Sequence, residues 1–233
     1  MKSLLSTIIL LLLSWNAQAQ LSLNPALFLG TSKLNSNHIP ADSNLVFENK
    51  FSFSWGLGAD LNYKINSHFS IQGGIYLEQI GHYWGEHAEV KKADAKFPYL
   101  ASEPNPIRTY SNELWGYLYF ASLPVSMQVH LNKFTLGAGL QYSQRLVYLG
   151  KYRAYTRLNA VEEIEWHASA LSSYNLSYTL EAAYRIHPKW NLGLRFTQGL
   201  VDMQNGPWRA GESVRNTQIQ LGLQYRIKLG QKE

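Results

Sequence analysis

The sequence contains no cysteine. No disulfide and no thiolate metal site can therefore hold it together, although its N-terminus reads as an export signal to an oxidising compartment. Past residues 4–13 there is no long apolar run, which excludes a spanning helix, since one needs about 20 such residues. No phosphate-cradling glycine loop or dinucleotide fingerprint occurs; the glycines sit inside alternating segments. The basic residues are not gathered in one stretch, so nucleic acid is a poor partner despite a net charge of +5 and a pI near 9.2. Mean hydropathy is −0.24, a value that suggests a soluble chain but that strict alternation of apolar and polar residues also produces.

The N-terminus has one positive charge at Lys2, an apolar run over 4–13, and Ala17-Gln18-Ala19. That is the pattern of a secretory signal peptide, residues 1–19, with cleavage after Ala19 and a mature domain over 20–233.

Alternation dominates the remainder. In FSFSWGLGADLNYKI, residues 51–65, every odd position is apolar or aromatic and every even one is Ser, Gly, Asp, Asn or Lys. The same period of two recurs over 69–78, 115–131, 134–142, 174–186, 190–196 and 217–229, with a rougher first copy over 21–29 where Pro25 intrudes. This gives eight strands. Three connections are tiny: Asn66-Ser67-His68, Asn132-Lys133 and His187-Pro188-Lys189. The other connections, 30–50, 82–112, 150–169 and 200–213, are expected to be long loops at the opposite end. Short turns at one end and long loops at the other imply an all-β, antiparallel up-and-down barrel.

Two barrels compete, one with its apolar face around a ligand and one with that face toward lipid. The apolar face decides. Tyr63, Phe69, Phe134, Tyr184, Trp190 and Tyr225 fall near the short-turn end. Phe51, Phe53, Trp55, Trp115, Tyr117, Tyr119, Tyr174 and Tyr178 fall near the other, and aliphatic residues lie between. Aromatic rings favour the membrane–water boundary, so two girdles around an aliphatic band read as a bilayer cross-section. Closure follows, because hydrocarbon offers no partner to an unpaired backbone group. The expectation is an eight-stranded transmembrane β-barrel in the outer membrane, with short periplasmic turns, long outer loops and outer-membrane lipid around it.

QLGLQYRI, residues 220–227, carries Gln220, Gly222, Tyr225 and Ile227 in the polar-x-Gly-x-x-apolar-x-apolar order by which bacterial barrels are handed to the barrel assembly machinery. The last strand, NTQIQLGLQYR over 216–226, and the Leu123-Pro124-Val125 core of the fourth resemble the PorT-like outer-membrane β-barrel family of Bacteroidetes. The resemblance implies a barrel domain and, for most members, no assigned chemistry. A role beside a secretion system is implied by the resemblance alone.

The inward face is read as rich in Ser, Gln, Asn, Thr and Gly, with Asp60, Glu78, Glu113, Glu181, Arg145, Arg185, Arg195 and Arg226. An eight-stranded barrel is only wide enough for side chains to fill it, so these charges must pair. Placing Ile186 opposite Trp190 across their turn puts Glu181 opposite Arg195. Glu78, Glu113, Arg145, Glu181 and Arg195 are the expected lumen charge cluster. The long loops are near neutral, and the basic surplus gathers at the short-turn rim with Lys64, Lys133, Lys189, Lys228 and Lys232, suited to anionic lipid or to a periplasmic or envelope protein partner. In the 82–112 loop, Trp84, Phe97, Tyr99 and Tyr110 are candidates for an outer binding surface. His82, Glu86, His87 and Glu89 match no metal-ligand spacing, nor do Glu162, Glu163 and Glu165, and a solvated loop explains both better. No Ser, His and carboxylate form an assignable triad. The expectation is a non-enzymatic barrel without cofactor, serving envelope organisation or recognition. A lipid-modifying enzyme and a narrow channel are the alternatives.

Overall fold

A computed structural model describes residues 20–36, 45–91, 107–155, 161–166, 171–203 and 213–229. The signal-peptide call and the candidates Phe97 and Tyr99 fall outside the described residues. Among those residues the regular structure is all strand: β1 (Gln20–Ser36), β2 (Leu45–Lys50), β3 (Ser52–Lys64), β4 (Phe69–Lys91), β5 (Ile107–Leu131), β6 (Phe134–Tyr155), β7 (Val161–Trp166), β8 (Tyr174–His187), β9 (Trp190–Gly199), β10 (Val214–Tyr225) and β11 (Ile227–Leu229). Hydrogen-bonded neighbours run β10-β9-β8-β6-β5-β4-β3-β1, and β1 pairs back onto β10 to close the ring. The fold is a closed antiparallel barrel of eight staves. β2 prolongs the β3 stave along β4, β7 prolongs the β8 stave along β6, and β11 continues β10 along β1.

Local chemistry explains the short turns. Asn66 accepts hydrogen bonds on its side-chain oxygen from the backbone N–H groups of His68 and Phe69, both at 2.8 Å, which folds the β3–β4 connection. Asn132 adopts φ 55° in the β5–β6 turn, a region Asn tolerates better than other side chains with a Cβ. Proline marks the gaps in the ladders. The β1–β10 register stops at Ala26↔Gln224 and resumes at Leu23↔Ile227 with Pro25 between, and Pro124 lies in the gap between Gly73↔Val125 and Tyr76↔Ser122. Neither proline has an N–H to donate.

The apolar face points outward. Leu61 is 46% exposed, while its neighbour Asn62 is 9% exposed. Leu57, Ile75, Val125, Met127, Leu140, Leu194 and Leu221 are exposed in the same phase, and the fully buried residues include Ser54, Ser70, Ser122, Thr197 and Gln220. On β6, Phe134 and Tyr142 bracket Leu136, Ala138 and Leu140, a length that matches the roughly 9–11 residues of a tilted membrane strand. Ring pairs tie adjacent staves at both boundaries, Phe134–Tyr184 at 5.0 Å and Trp190–Tyr225 at 4.8 Å on the short-turn side and Tyr142–Tyr174 at 6.5 Å on the other, where Trp55 on β3 also reaches over β4 to Tyr119 on β5 at 6.4 Å.

The expected long outer loops need correction, beginning with 30–50, of which 30–36 belong to β1 and 45–50 form β2. Residues 82–91 and 107–112 are not loop: β4 and β5 stay paired out to Lys91↔Ile107. β6 and β7 likewise pair over Gly150–Tyr155 and Val161–Trp166. Outside the bilayer an antiparallel ladder still satisfies its own backbone, so a stave need not stop where the hydrocarbon does. Phase also changes within β6. β6 carries an extra residue, Leu146, between the rungs Phe120↔Arg145 and Tyr119↔Val147. This bulge puts Leu146 and Val147 both on the exposed face and turns Tyr148 into the inward phase.

Candidate functional site

The lumen is stacked in three layers. The middle layer is ionic. Glu181 on β8 and Arg195 on β9 are paired in the ladder, and Arg195 Nε donates to Glu181 Oε1 at 2.7 Å. The same guanidinium lies 3.7 Å from Glu78 Oε1 on β4. In the closed ring β4 is four places from β9 in either direction, so this contact spans the barrel's diameter. Arg195 and Glu78 are each 1% exposed. Burial of charges at this depth is tolerable only if neighbours compensate them, and Glu78 Oε2 accepts from Ser122 Oγ at 2.5 Å and from Gln141 Nε2 at 2.6 Å.

Aromatic rings complete this layer. The Arg195 guanidinium sits 3.9 Å from the centre of the Phe28 ring and 4.5 Å from that of Tyr76, a cation–π arrangement that strengthens away from water. Tyr76 donates its hydroxyl hydrogen bond to Asp60. Phe28 lies over glycines: its β10 partner is Gly222, whose β9 partner is Gly193. A Cβ at Gly222 would land on the Phe28 ring, whereas one at Gly193 would sit 3.8 Å from it, an ordinary contact.

Above the ionic layer, toward the long-strand end, the lumen is apolar. Leu34, Ile80, Leu118, Phe120, Leu171, Met203 and Val214 form one buried cluster, with Trp84 and Tyr148 packed against it. Leu171 and Met203 come from connecting segments held inward by backbone bonds from Ser172 N–H to Met203 O (2.6 Å) and from Met203 N–H to Val214 O (2.8 Å). His82 stacks on Tyr148 with centroids 5.7 Å apart. Below the ionic layer the lumen opens as a cavity of about 500 Å³ at the short-turn mouth.

The expected charge cluster is thus distributed. Glu78, Glu181 and Arg195 come together. Arg145 stands apart at the bulge, where its guanidinium donates to the Leu171 carbonyl at 2.7 Å. Glu113 pairs in the backbone with Gly85 and Arg153, well outside the Glu78↔Phe120 rung, and its side chain lies outside the described residues. Of the outer aromatic candidates, Trp84 faces the lumen cluster and donates its indole N–H to the Leu34 carbonyl at 3.1 Å. Tyr110 is placed only as the backbone partner of Ala88. In the tail, Gln220 is fully buried and Gly222 lies under Phe28, while Tyr225 packs on Trp190 and Ile227 is exposed. Sequence reasoning missed Phe28 and Tyr76, the rings that flank Arg195. The signal available was the coincidence of an inward-phase Phe28 with glycines in the inward phase of the last two staves. Among the described residues no group of three or more His, Cys, Asp or Glu is arranged to hold a metal.

The model of the family described as outer membrane protein beta-barrel domain matches residues 6–226. The chain belongs to that family. Membership places the protein in the outer membrane, in agreement with the outward aliphatic band. No curated protein matches the chain. Among solved structures it is similar to Ail, the attachment invasion locus protein of Yersinia pestis, with 13% identity over 91% of this chain and 100% of that one and a TM-score of 0.44. It is also similar to Neisserial surface protein A, with 10% identity over 91% and 100% and a TM-score of 0.39. A third is the outer membrane protease OmpT from Escherichia coli, with 8% identity over 90% and 96% and a TM-score of 0.44.

Proposed function

We propose that the protein is a non-enzymatic outer-membrane barrel that organises the envelope or recognises a partner through the staves projecting beyond its outer aromatic girdle. The observation that favours this reading over a channel is the contact between Arg195 and Glu78 across the lumen. Together with the apolar cluster above it, that contact fills the lumen at two levels in the described part of the barrel. A sealed barrel acts through its two ends and its lipid face. At the outer end β4, β5 and β6, with β2 and β7 alongside, offer a stiff paired ribbon. At the inner end lies a basic rim suited to a periplasmic or envelope protein. The lipid face meets outer-membrane acyl chains, and residues 220–227 serve as the handle for the barrel assembly machinery. Export by a signal peptide cleaved after Ala19 and membership of the PorT-like group of Bacteroidetes belong to the same proposal.

Cross-linking in native envelopes tests it. The full chain and a variant with residues 92–106 replaced by Asn-Gly are compared. The reading expects a protein partner captured by the former and lost from the latter, with both barrels equally folded. Changed acyl chains on lipid A or phospholipid after overexpression would instead identify a lipid-modifying enzyme.

A further inference from the structure

The cavity at the short-turn mouth has a chemical character of its own. Its wall is drawn from β1, β3, β5, β8, β11 and the turns beside them. Lys64, Arg185, Arg226 and Lys228 line it together with His68 and His130, and among the described residues no Asp or Glu does. Its volume of about 500 Å³ falls within the range of small-molecule pockets, about 300–1,000 Å³.

Two arginines set its depth. Arg185 on β8 and Arg226, at the β10–β11 junction, lie on either side of the start of β9: Arg185 is paired with Asn191, and Arg226 donates its backbone N–H to the Lys189 carbonyl at 2.7 Å. They act electrostatically on each other and, with Lys64, on the His130 ring. Among the described residues neither guanidinium meets a carboxylate, and Arg185 Nε is buried without a hydrogen-bond partner. Holding like charges together in a half-enclosed space is unfavourable unless a counter-anion joins them. Arg226 also borders the narrow cleft of about 20 Å³ that continues inward, lined there by Asn24, Gln72 and Gln128. Glu181 of the ionic layer also lines this cleft and repels an anion that would pass deeper. The cavity is a blind, positively charged funnel.

We propose that this mouth is a binding site for a phosphate-bearing group, held between Arg185 and Arg226. A phosphate fits better than a lone carboxylate. Its three or more acceptor oxygens can take bidentate pairs from two guanidinium forks at once, where a carboxylate has two oxygens to share. The aromatic girdle at this end, with Tyr184 next to Arg185 and Tyr225 next to Arg226 in sequence, puts the funnel at the headgroup level of the inner leaflet. The phosphate therefore comes from a small solute of the periplasm or from a lipid headgroup folded over the rim. This inference goes beyond the envelope role above and does not depend on the outer staves.

Titration calorimetry of the full chain with inorganic pyrophosphate, in a maltoside detergent that carries no phosphate, tests the site. Saturable binding that weakens in high salt is expected. The Arg185→Gln/Arg226→Gln double variant should lose about tenfold or more in affinity. A Lys133→Gln/Lys189→Gln variant, with the same charge change on turns outside the cavity, should stay within about twofold of the original. Heat-dependent gel mobility reports whether each barrel is folded. If the double variant does not fold, Arg226→Gln alone is titrated against the same expectation. Native mass spectrometry from phosphatidylglycerol bilayers separates the sources. A lipid retained by the original and not by the arginine variant assigns the headgroup, and pyrophosphate binding without a retained lipid assigns a soluble phosphate. Two results overturn the proposal: neither pyrophosphate nor lipid bound, or an equal loss of binding in the lysine and arginine variants.

Discussion

Arg195 and Glu78 meet at 3.7 Å across the full width of an eight-stave ring, each 1% exposed. One guanidinium thereby ties β9 to β4 as well as to Glu181 on the adjacent β8. Removing the cation alone leaves buried carboxylates without compensation. Arg195→Met should therefore lower stability by about 3–5 kcal/mol, read from the urea midpoint of reversible unfolding in lipid vesicles. A loss below about 1 kcal/mol, the worth of an exposed ion pair, would mean that the layer is not dry.

The ionic layer and the apolar cluster that contains Phe120 both fill the lumen, and the proposed function reads each as a seal. Seals in series predict a non-additive outcome. Planar-bilayer conductance should stay at baseline for Arg195→Ala and for Phe120→Ala separately and appear in the double variant. Conductance through the unaltered protein would contradict the sealed lumen outright.

Gly222 and Gly193 sit side by side on β10 and β9, yet only at Gly222 does a Cβ collide with the Phe28 ring, the one at Gly193 making an ordinary contact. Gly222→Ala should destabilise by about 1–3 kcal/mol through overpacking, Gly193→Ala should be near neutral, and Phe28→Ala should remove most of the difference between them. The same unfolding midpoints decide it. Gly222 is also part of the expected assembly signal, so slow assembly of Gly222→Ala that Phe28→Ala relieves would point to packing within the barrel itself.

Ala88 is paired on both sides, with Leu45 on β2 and Tyr110 on β5. Ala88→Pro deletes an N–H from that outer ribbon. Hydrogen exchange of the amides around 84–91 should accelerate, while heat-dependent gel mobility of the barrel stays the same. Equally fast exchange in both proteins would mean that the ribbon is not paired in solution.

The periodicity of the sequence made much of this legible. Alternation locates the staves and their greasy side, and hairpin arithmetic places Glu181 against Arg195 because a two-residue repeat leaves little freedom in register. It fails where a stave breaks its own rule. Leu118 and Phe120 are apolar in the inward phase of WGYLYFA, so β5 is apolar on both faces there, and tracing only its odd row hides the upper seal. Leu146 is an unannounced insertion that ends one phase and starts another, so Tyr148 faces inward beyond it. The outer ends of β4 and β5 lose their strong alternation once water replaces lipid, so pairing persists there without the pattern that reveals it. Contacts between staves distant in sequence, such as Phe28 over Gly222, follow from ring closure and have no local signature.

The central claim is that hydrocarbon surrounds the barrel and the polar side chains fill it. The absence of cysteine makes single-site spin labelling direct, with one label at Leu61→Cys and one at Asn62→Cys in bilayers. The account predicts that the Leu61 label is relaxed by lipid-dissolved oxygen and shielded from a water-soluble nickel complex, and that the Asn62 label, at the wall of the short-turn cavity, shows the reverse. Nickel access at Leu61 with oxygen access at Asn62 would contradict it.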